Sequence, residues 1–231
     1  MLEAIELRKS YRGFHALKGL NFKIEKGEIF CLLGQNGAGK TTTINIFLGL
    51  LSPSSGKALI NNVEVGANAD TTNKMIAYIP EIVQLYGNLS GTENLDLFSR
   101  MAGFRYSGRQ LEAFLEKSGL PQHVHSRPLS TYSKGMRQKV GIAIALSKHA
   151  EIIFMDEPTS GLDPKATAEF TGICKELSEA GTSIFMATHD IFNAVNVGTK
   201  IGIMKEGELV HSTSTTEVDA NSLQELYLKT I

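Results

Sequence analysis

The chain has little cysteine, almost no net charge and no long apolar run. Its 231 residues include two cysteines, Cys31 and Cys174. Two thiols so widely spaced make neither a zinc pattern nor a disulfide framework, and both suit a reducing cytoplasm. Cys31 lies inside the apolar run "IFCLL" and is expected to be buried. A formal net charge of -1 argues against a mainly electrostatic nucleic-acid binder, which would be strongly basic, while leaving room for a local basic patch. No stretch approaches the ~18 to 20 apolar residues of a membrane span. The best candidate, "VGIAIALSKHAEIIFMD", is broken by Lys148, His149 and Glu151. The opening "MLEAIELRKS" lacks a secretory-signal pattern, so action at a membrane would require docking onto something already there. Internal repeats, coiled-coil heptads and low-complexity segments are also missing.

What is present is ordinary in bulk and ordered along the chain. Hydrophobic residues make up 42% and charged residues 20%, a usual globular balance. The length suits one sizeable domain, or a domain with a subdomain. "EAIELRKSY" and "LNFKIEKGEIFCLLG" suggest an antiparallel β piece, and the uniformly apolar "EIFCLLG" reads as a central buried strand. A helix is expected inside "GAGKTTTINIFLGLL", ending before the loop cluster "SPSSG". β character returns in "GKALINNVEV" and in "MIAYI" over 75–79, stopped by Pro80. Residues 82–149 then read as helical. Alternation resumes with "EIIFMDEP", a helix over roughly 164–180, "TSIFMATHD" and a helix near 190. A hairpin turning at Gly207 and an amphipathic tail, "ANSLQELYLKT", follow. The pattern predicts an α/β fold with a mostly parallel core sheet. We expect a single domain over 1–231, with a core from 1–81 and 150–231 and a helical subdomain over 82–149.

Gly34-x4-Gly39-Lys40-Thr41 matches a phosphate-binding loop placed between a strand and a helix. Glycines let the backbone turn its amide N–H groups toward phosphate oxygens, and the following helix offers its N-terminus to the anion. Gly34, Gln35, Asn36, Gly37, Ala38, Gly39, Lys40, Thr41 and Thr42 are therefore the expected nucleotide contacts. Lys40 would reach the β- and γ-phosphates, and the Thr41 hydroxyl would ligate magnesium. A partner carboxylate is expected at the end of another strand, and "IIFMDE" supplies two. Asp156 suits the second shell of the metal. Glu157, one residue later, is placed to polarise an attacking water. The guanine-reading pattern N-K-x-D is missing, since "NKMI" at 73–76 ends in isoleucine; this favours ATP over GTP.

Residues 130–139 read "STYSKGMRQK". Taken alone, Ser133 is an N-cap for the helix that follows. In combination with Asp156, "SGLD" at 160–163 and "ATHD" at 187–190, the stretch resembles the signature motif of an ABC transporter's ATPase subunit. The resemblance covers essentially the whole chain and implies the P-loop ATPase fold of that family, with an N-terminal antiparallel β subdomain and an inserted helical one. Ser133 and Gly135 match the core of the signature, whereas Lys134 and Met136 depart from its commonest form. The "SKGMRQ" style is similar to subunits paired with separately encoded export permeases. The resemblance implies that Ser133 and Gly135 cap the γ-phosphate held by a second copy of the chain, so that ATP joins two copies head to tail and hydrolysis reopens them. It also makes Tyr11 the adenine-stacking aromatic, with Phe14 a competitor. His189 becomes the switch histidine, and Asp163 a contact to the opposite site.

One departure stands out. The family's usual glutamine after the strand entering the helical lobe is replaced by Glu81, with Gln84 three residues late. Glu81 is expected to bring a third carboxylate toward the metal and the water. The resemblance further implies a permease-docking cleft over about 81–105, where Tyr86 is the contact candidate and Leu95 and Phe98 are expected to pack the lobe. The expected cofactors are ATP and Mg2+. The expected partners are a second copy and separately encoded transmembrane subunits, with no nucleic acid, at the cytoplasmic face of a membrane. The alternative is a soluble member of the superfamily acting on ribosomes or DNA, against which the single cassette without coiled coils or zinc inserts speaks.

Overall fold

Parallel strands buried on both faces need continuous apolar runs, and three such runs build the centre of this molecule. A computed structural model describes residues 1–231. Its elements in chain order are β1 (Leu2–Tyr11), β2 (Phe14–Ile24), β3 (Ile29–Leu33), α1 (Lys40–Phe47), β4 (Ser55–Ile60), β5 (Val63–Glu64), α2 (Ala69–Met75) and β6 (Ile76–Ile79). There follow α3 (Gly91–Met101), α4 (Gly108–Lys117), α5 (Lys134–Ser147), β7 (Ile152–Asp156), α6 (Pro164–Glu179) and β8 (Ser183–Thr188). The chain ends with α7 (Ile191–Val197), β9 (Lys200–Lys205), β10 (Glu208–Ser214) and α8 (Ala220–Thr230). A six-stranded sheet runs β10-β9-β3-β8-β7-β6. Only β10 is antiparallel to its neighbour; β3 pairs in parallel with β8 and β9, and β7 with β6 and β8. A separate four-stranded antiparallel sheet runs β2-β1-β4-β5. Architecture and class agree with the α/β expectation.

Side chains alternate across a strand, so each central strand feeds two cores. Phe30 and Leu32 of β3, Phe154 of β7 and Phe185 of β8 face the antiparallel sheet and α1. Here the Phe185 ring packs at a tilt against Phe22, Phe30 and Phe154, each at 5.7 Å between centroids. Ile29, Cys31, Leu33, Ile153, Met155, Ile184 and Met186 face the other way, onto α5, α6, α7 and α8. Both cysteines are buried as free thiols.

No strand interrupts the chain between β6 and β7; α3, α4 and α5 occupy it. A third core of Leu95, Leu111, Leu115, Leu120, Val124, Leu129 and Tyr132 holds these helices together. Helix α5 belongs to two cores. Val140 and Ala143 pack into the helical cluster, while Ile142 and Ala145 pack under the large sheet. One difference from the sequence reading concerns "MIAYI". Met75 ends the short helix α2, and the strand begins at Ile76. That helix, "ADTTNKM", buries only Thr72, so it carries no apolar stripe to announce it.

Removing a ring that touches three others leaves a cavity the centre of a sheet cannot close. Phe185→Ala should therefore lower the unfolding free energy by about 3 to 5 kcal/mol, read as a lower denaturation midpoint in urea. A loss below about 1 kcal/mol would show that the aromatic cluster is not the core's keystone.

Candidate phosphate-binding and hydrolytic site

The sheet order sets β3, β8 and β7 side by side, and all three point the same way. Their carboxyl ends carry the loop after Leu33, His189 after Thr188, and the pair Asp156–Glu157. Open α/β sheets characteristically form sites at such ends.

The loop is shaped by its glycines. Gly37 and Gly39 have φ of +86° and +110°, a region disfavoured for any side chain. A Cβ at Gly39 would also lie 2.8 Å from the Ala16 carbonyl oxygen, so the loop packs tightly on β2. Helix α1 starts at Lys40 with no side-chain cap and no acidic residue in its first turn. Its first N–H groups and the positive end of its dipole are left for an anion. Lys40 is only 5% exposed. Its ammonium donates to the Gly34 carbonyl at 2.6 Å and to that of Gln35 at 3.4 Å, and it lies 3.7 Å from Glu157 Oε1. A buried ammonium needs such partners, and they hold it at the loop's mouth. Tyr11 and Phe14, both exposed, line one cleft of about 240 Å3 with Gln35, Asn36, Gly37, Gly39, Lys40, Thr41 and Thr42.

Thr41 Oγ1 donates to Asp156 Oδ2 at 2.9 Å, joining loop to strand end. Burial raises the Asp156 pKa above its ordinary value of 3.8; the Thr41 hydrogen bond opposes this, and the neighbouring Glu157 charge adds to it. Glu157 sits at φ +45°, a sparsely populated conformation for a non-glycine residue. Its N–H is pinned by the Ala187 carbonyl of β8 at 2.9 Å. One carboxylate oxygen, Oε2, accepts from the His189 N–H at 3.3 Å and lies 2.9 Å from His189 Nδ1. The other, Oε1, is buried without any hydrogen-bond donor. An unpartnered buried acceptor beside an ammonium can take a proton or orient a water.

Four expected site residues lie elsewhere. Ser133 caps α5, its Oγ accepting from the Met136 N–H at 3.3 Å. Ser133 and Gly135 line a separate cleft with Leu162, Ala166 and Glu169. Asp163 caps α6, accepting from the Ala166 N–H at 2.9 Å. Glu81 turns its carboxylate to the Ser160 hydroxyl at 2.9 Å and to Lys134 at 3.8 Å, although its charge still reaches Asp156. The sequence reading missed Ser160 and Gln138. The Gln138 amide donates to the Pro80 and Glu81 carbonyls from a buried position. Both stood inside quoted motifs, Ser160 in "SGLD" and Gln138 in "SKGMRQ", without a role of their own.

Loop, strand-end carboxylates and sheet order together define a phosphate-loop ATPase. A family model described as ABC transporter matches residues 17–160. The chain is 34% identical over 228 residues to the probable multidrug ABC transporter ATP-binding protein YbhF of Escherichia coli (strain K12), covering 96% of this chain but 38% of that protein. It is 35% identical over 220 residues to the bacitracin transport ATP-binding protein BcrA of Enterococcus faecalis, covering 94% of this chain and 70% of that one. In structure it is similar to the dimeric post-hydrolysis state of the ATP-binding cassette MJ0796 bound to ADP and Pi. There the TM-score is 0.82 at 27% identity, over 93% of this chain and 99% of the other. The chain belongs to the ABC transporter family and forms its ATP-binding domain.

Because the folded Asp156 pKa lies above 3.8, folding takes up a proton in that window. Stability therefore falls as pH rises from 3.8 through the folded value, and the penalty persists above it. Asp156→Asn should melt higher than the parent at pH 7 in metal-free buffer, with the advantage shrinking as pH approaches 4. A variant that melts lower at pH 7 would show that burial does not dominate this carboxylate.

Proposed function

We propose that this chain is the ATP-hydrolysing subunit of an export-type ABC transporter, and that two copies close head to tail around two nucleotides. One observation carries the reading. The two helix starts that carry the glycine loop and the signature residues, α1 behind Gly39 and α5 behind Ser133, both lack acidic residues in their first turns. They open on different clefts. A triphosphate lying on Lys40 would leave the second helix start unused unless another copy brought its own nucleotide to it. The dimeric form of MJ0796 supports this arrangement.

Within each site we assign the roles as follows, with the geometry in support. The loop amides and Lys40 bind the phosphates, and Tyr11 stacks on the base, an interaction worth about 1 to 3 kcal/mol. The Thr41 hydroxyl donates a hydrogen bond to Asp156, which leaves its oxygen lone pairs free for a cation, with the carboxylate orienting it from behind. Thr41 and Asp156 thus fit magnesium, which when bound would offset the charge on the phosphate oxygens. Glu157 takes up the proton of an attacking water on Oε1, while His189, held on Oε2, keeps the carboxylate turned inward. Asp163 and Ser133 serve the facing copy.

Residues 1–81 and 150–231 act in this reading as the catalytic core and 82–149 as the lobe that meets a permease. Ile82, Tyr86 and Met101 are exposed there. Leu95 is buried in the lobe, and Phe98 packs beside Tyr86 at 6.3 Å. No helix of the chain is long and apolar enough to cross a membrane. In this reading the subunit works at the cytoplasmic face through separately encoded transmembrane partners, as relatives named ATP-binding proteins of transporters suggest. Names such as bacitracin transport and multidrug transport among the relatives favour export.

Glu157→Gln should cut ATP turnover by about 10²- to 10⁴-fold and accumulate an ATP-bound dimer by light scattering; unchanged turnover would remove Glu157 from the chemistry. Ser133→Arg should prevent that dimer while leaving nucleotide binding to the single chain intact. A dimer that forms regardless would end the head-to-tail reading. Capture from solubilised membranes should recover a polytopic partner, and recovery of ribosomes instead would favour a soluble role.

A further inference from the structure

Three segments far apart in the chain meet beside the hydrolytic site. Glu81 follows β6, Lys134 opens α5 and Ser160 lies three residues beyond Glu157. The Glu81 carboxylate accepts from the Ser160 hydroxyl at 2.9 Å. The Lys134 ammonium donates to the Ser160 carbonyl at 2.6 Å and lies 3.8 Å from Glu81 Oε1. Ser160 is thus held at both its hydroxyl and its main chain. The Ser160 N–H in turn donates to the Glu157 carbonyl at 3.1 Å, so the contact reaches the catalytic turn directly. Gln138, one helical turn after Lys134, binds the main chain at Pro80 and Glu81. The linker is therefore held to α5 through its backbone as well as its side chain.

We propose that Lys134 and Glu81 are positioning residues, which clasp the start of α5 to the Glu157–Asp163 turn. With side chains 34% and 50% exposed, the ion pair alone contributes little stability; its consequence is geometric. In a head-to-tail pair, Ser133 of one chain faces the nucleotide held by its neighbour, whereas Glu157 of the same chain serves its own. The clasp joins these two elements into one unit, so that loss of phosphate at one site displaces the catalytic turn of the other. Lys134 replaces a small residue of the usual signature and Glu81 an amide, and here the two departures meet on one serine. This coupling rests on the head-to-tail pairing, while the clasp itself is a property of the single chain.

Glu81→Ala, Lys134→Met, their double variant and Lys134→Arg separate the possibilities. Each single neutral variant should lower kcat about tenfold with KM for ATP and the magnesium half-saturation unchanged, and should bring the Hill coefficient for ATP to one. The double variant should be worse than either single one, since each substitution removes its own hydrogen bond to Ser160. Lys134→Arg, which keeps the donors, should restore at least half the turnover. Amide exchange at residues 159–163 of the nucleotide-free single chain should quicken in both neutral variants, a readout independent of dimer formation. A magnesium half-saturation shifted by Glu81→Ala alone would return that residue to the metal and overturn the proposal. Unchanged exchange at 159–163 in both neutral variants would overturn the clasp. Failure of Ser133→Arg to block the dimer would instead remove the coupling while leaving the exchange result standing.

Discussion

The parallel register of β3, β8 and β7 is the constraint on which the site depends. Leu33 pairs with Thr188, and Asp156 pairs with Ala187, so three strand ends finish at one level. Shift any pairing by one residue and its side chains change faces. Phe154 or Phe185 would then leave the aromatic core, and Asp156 would leave Thr41. The packing that stabilises the sheet therefore also fixes the distances in the site. The main-chain bond from Glu157 to Ala187 extends this control one residue beyond the last paired position, into a turn that local preferences would not choose.

That turn concentrates opposed forces. Glu157 takes up a disfavoured φ and buries an oxygen without a donor, and both cost free energy. The nearby Lys40 ammonium and His189 offset part of the cost. Asp156, its pKa raised chiefly by burial, adds like charge at the same place. Such a cluster is poorly satisfied by the chain's own groups. Phosphate oxygens on Lys40 and a cation on Thr41 and Asp156 would satisfy it better, which gives a physical reason for ligand binding to tighten the turn.

Local features were legible in the sequence, and features made by distant contacts were not. The loop could be read because its spacing is short and its glycines have one use there. β3, β7 and β8 could be read because burial on both faces demands uninterrupted apolar runs. The helix cap at Ser133 was legible from residue type. Helix α2 was not, since it packs one threonine and shows no apolar period. The conformation of Glu157 was hidden because nothing in Asp-Glu-Pro requires it; it follows from the pairing with β8. Glu81 was read by position toward the metal, but its carboxylate lies on Ser160, 79 residues away in the chain, and no local pattern records such a contact.

Helix α5 shows how the same architecture can carry motion. Its first turn bears Ser133 as cap and Lys134 on the catalytic turn. Its middle places Ile142 and Ala145 under the sheet and Val140 and Ala143 among α3 and α4. Close-packed interiors transmit displacement rather than absorb it. A pull on the helix start must therefore either move the helical block as a body or open one of the two cores. The helical core is the smaller of the two, and α5 joins it to the core under the sheet, so the two cores cannot move independently. The exposed apolar side chains of Ile82 and Tyr86 stand beside the linker at Pro80 and Glu81.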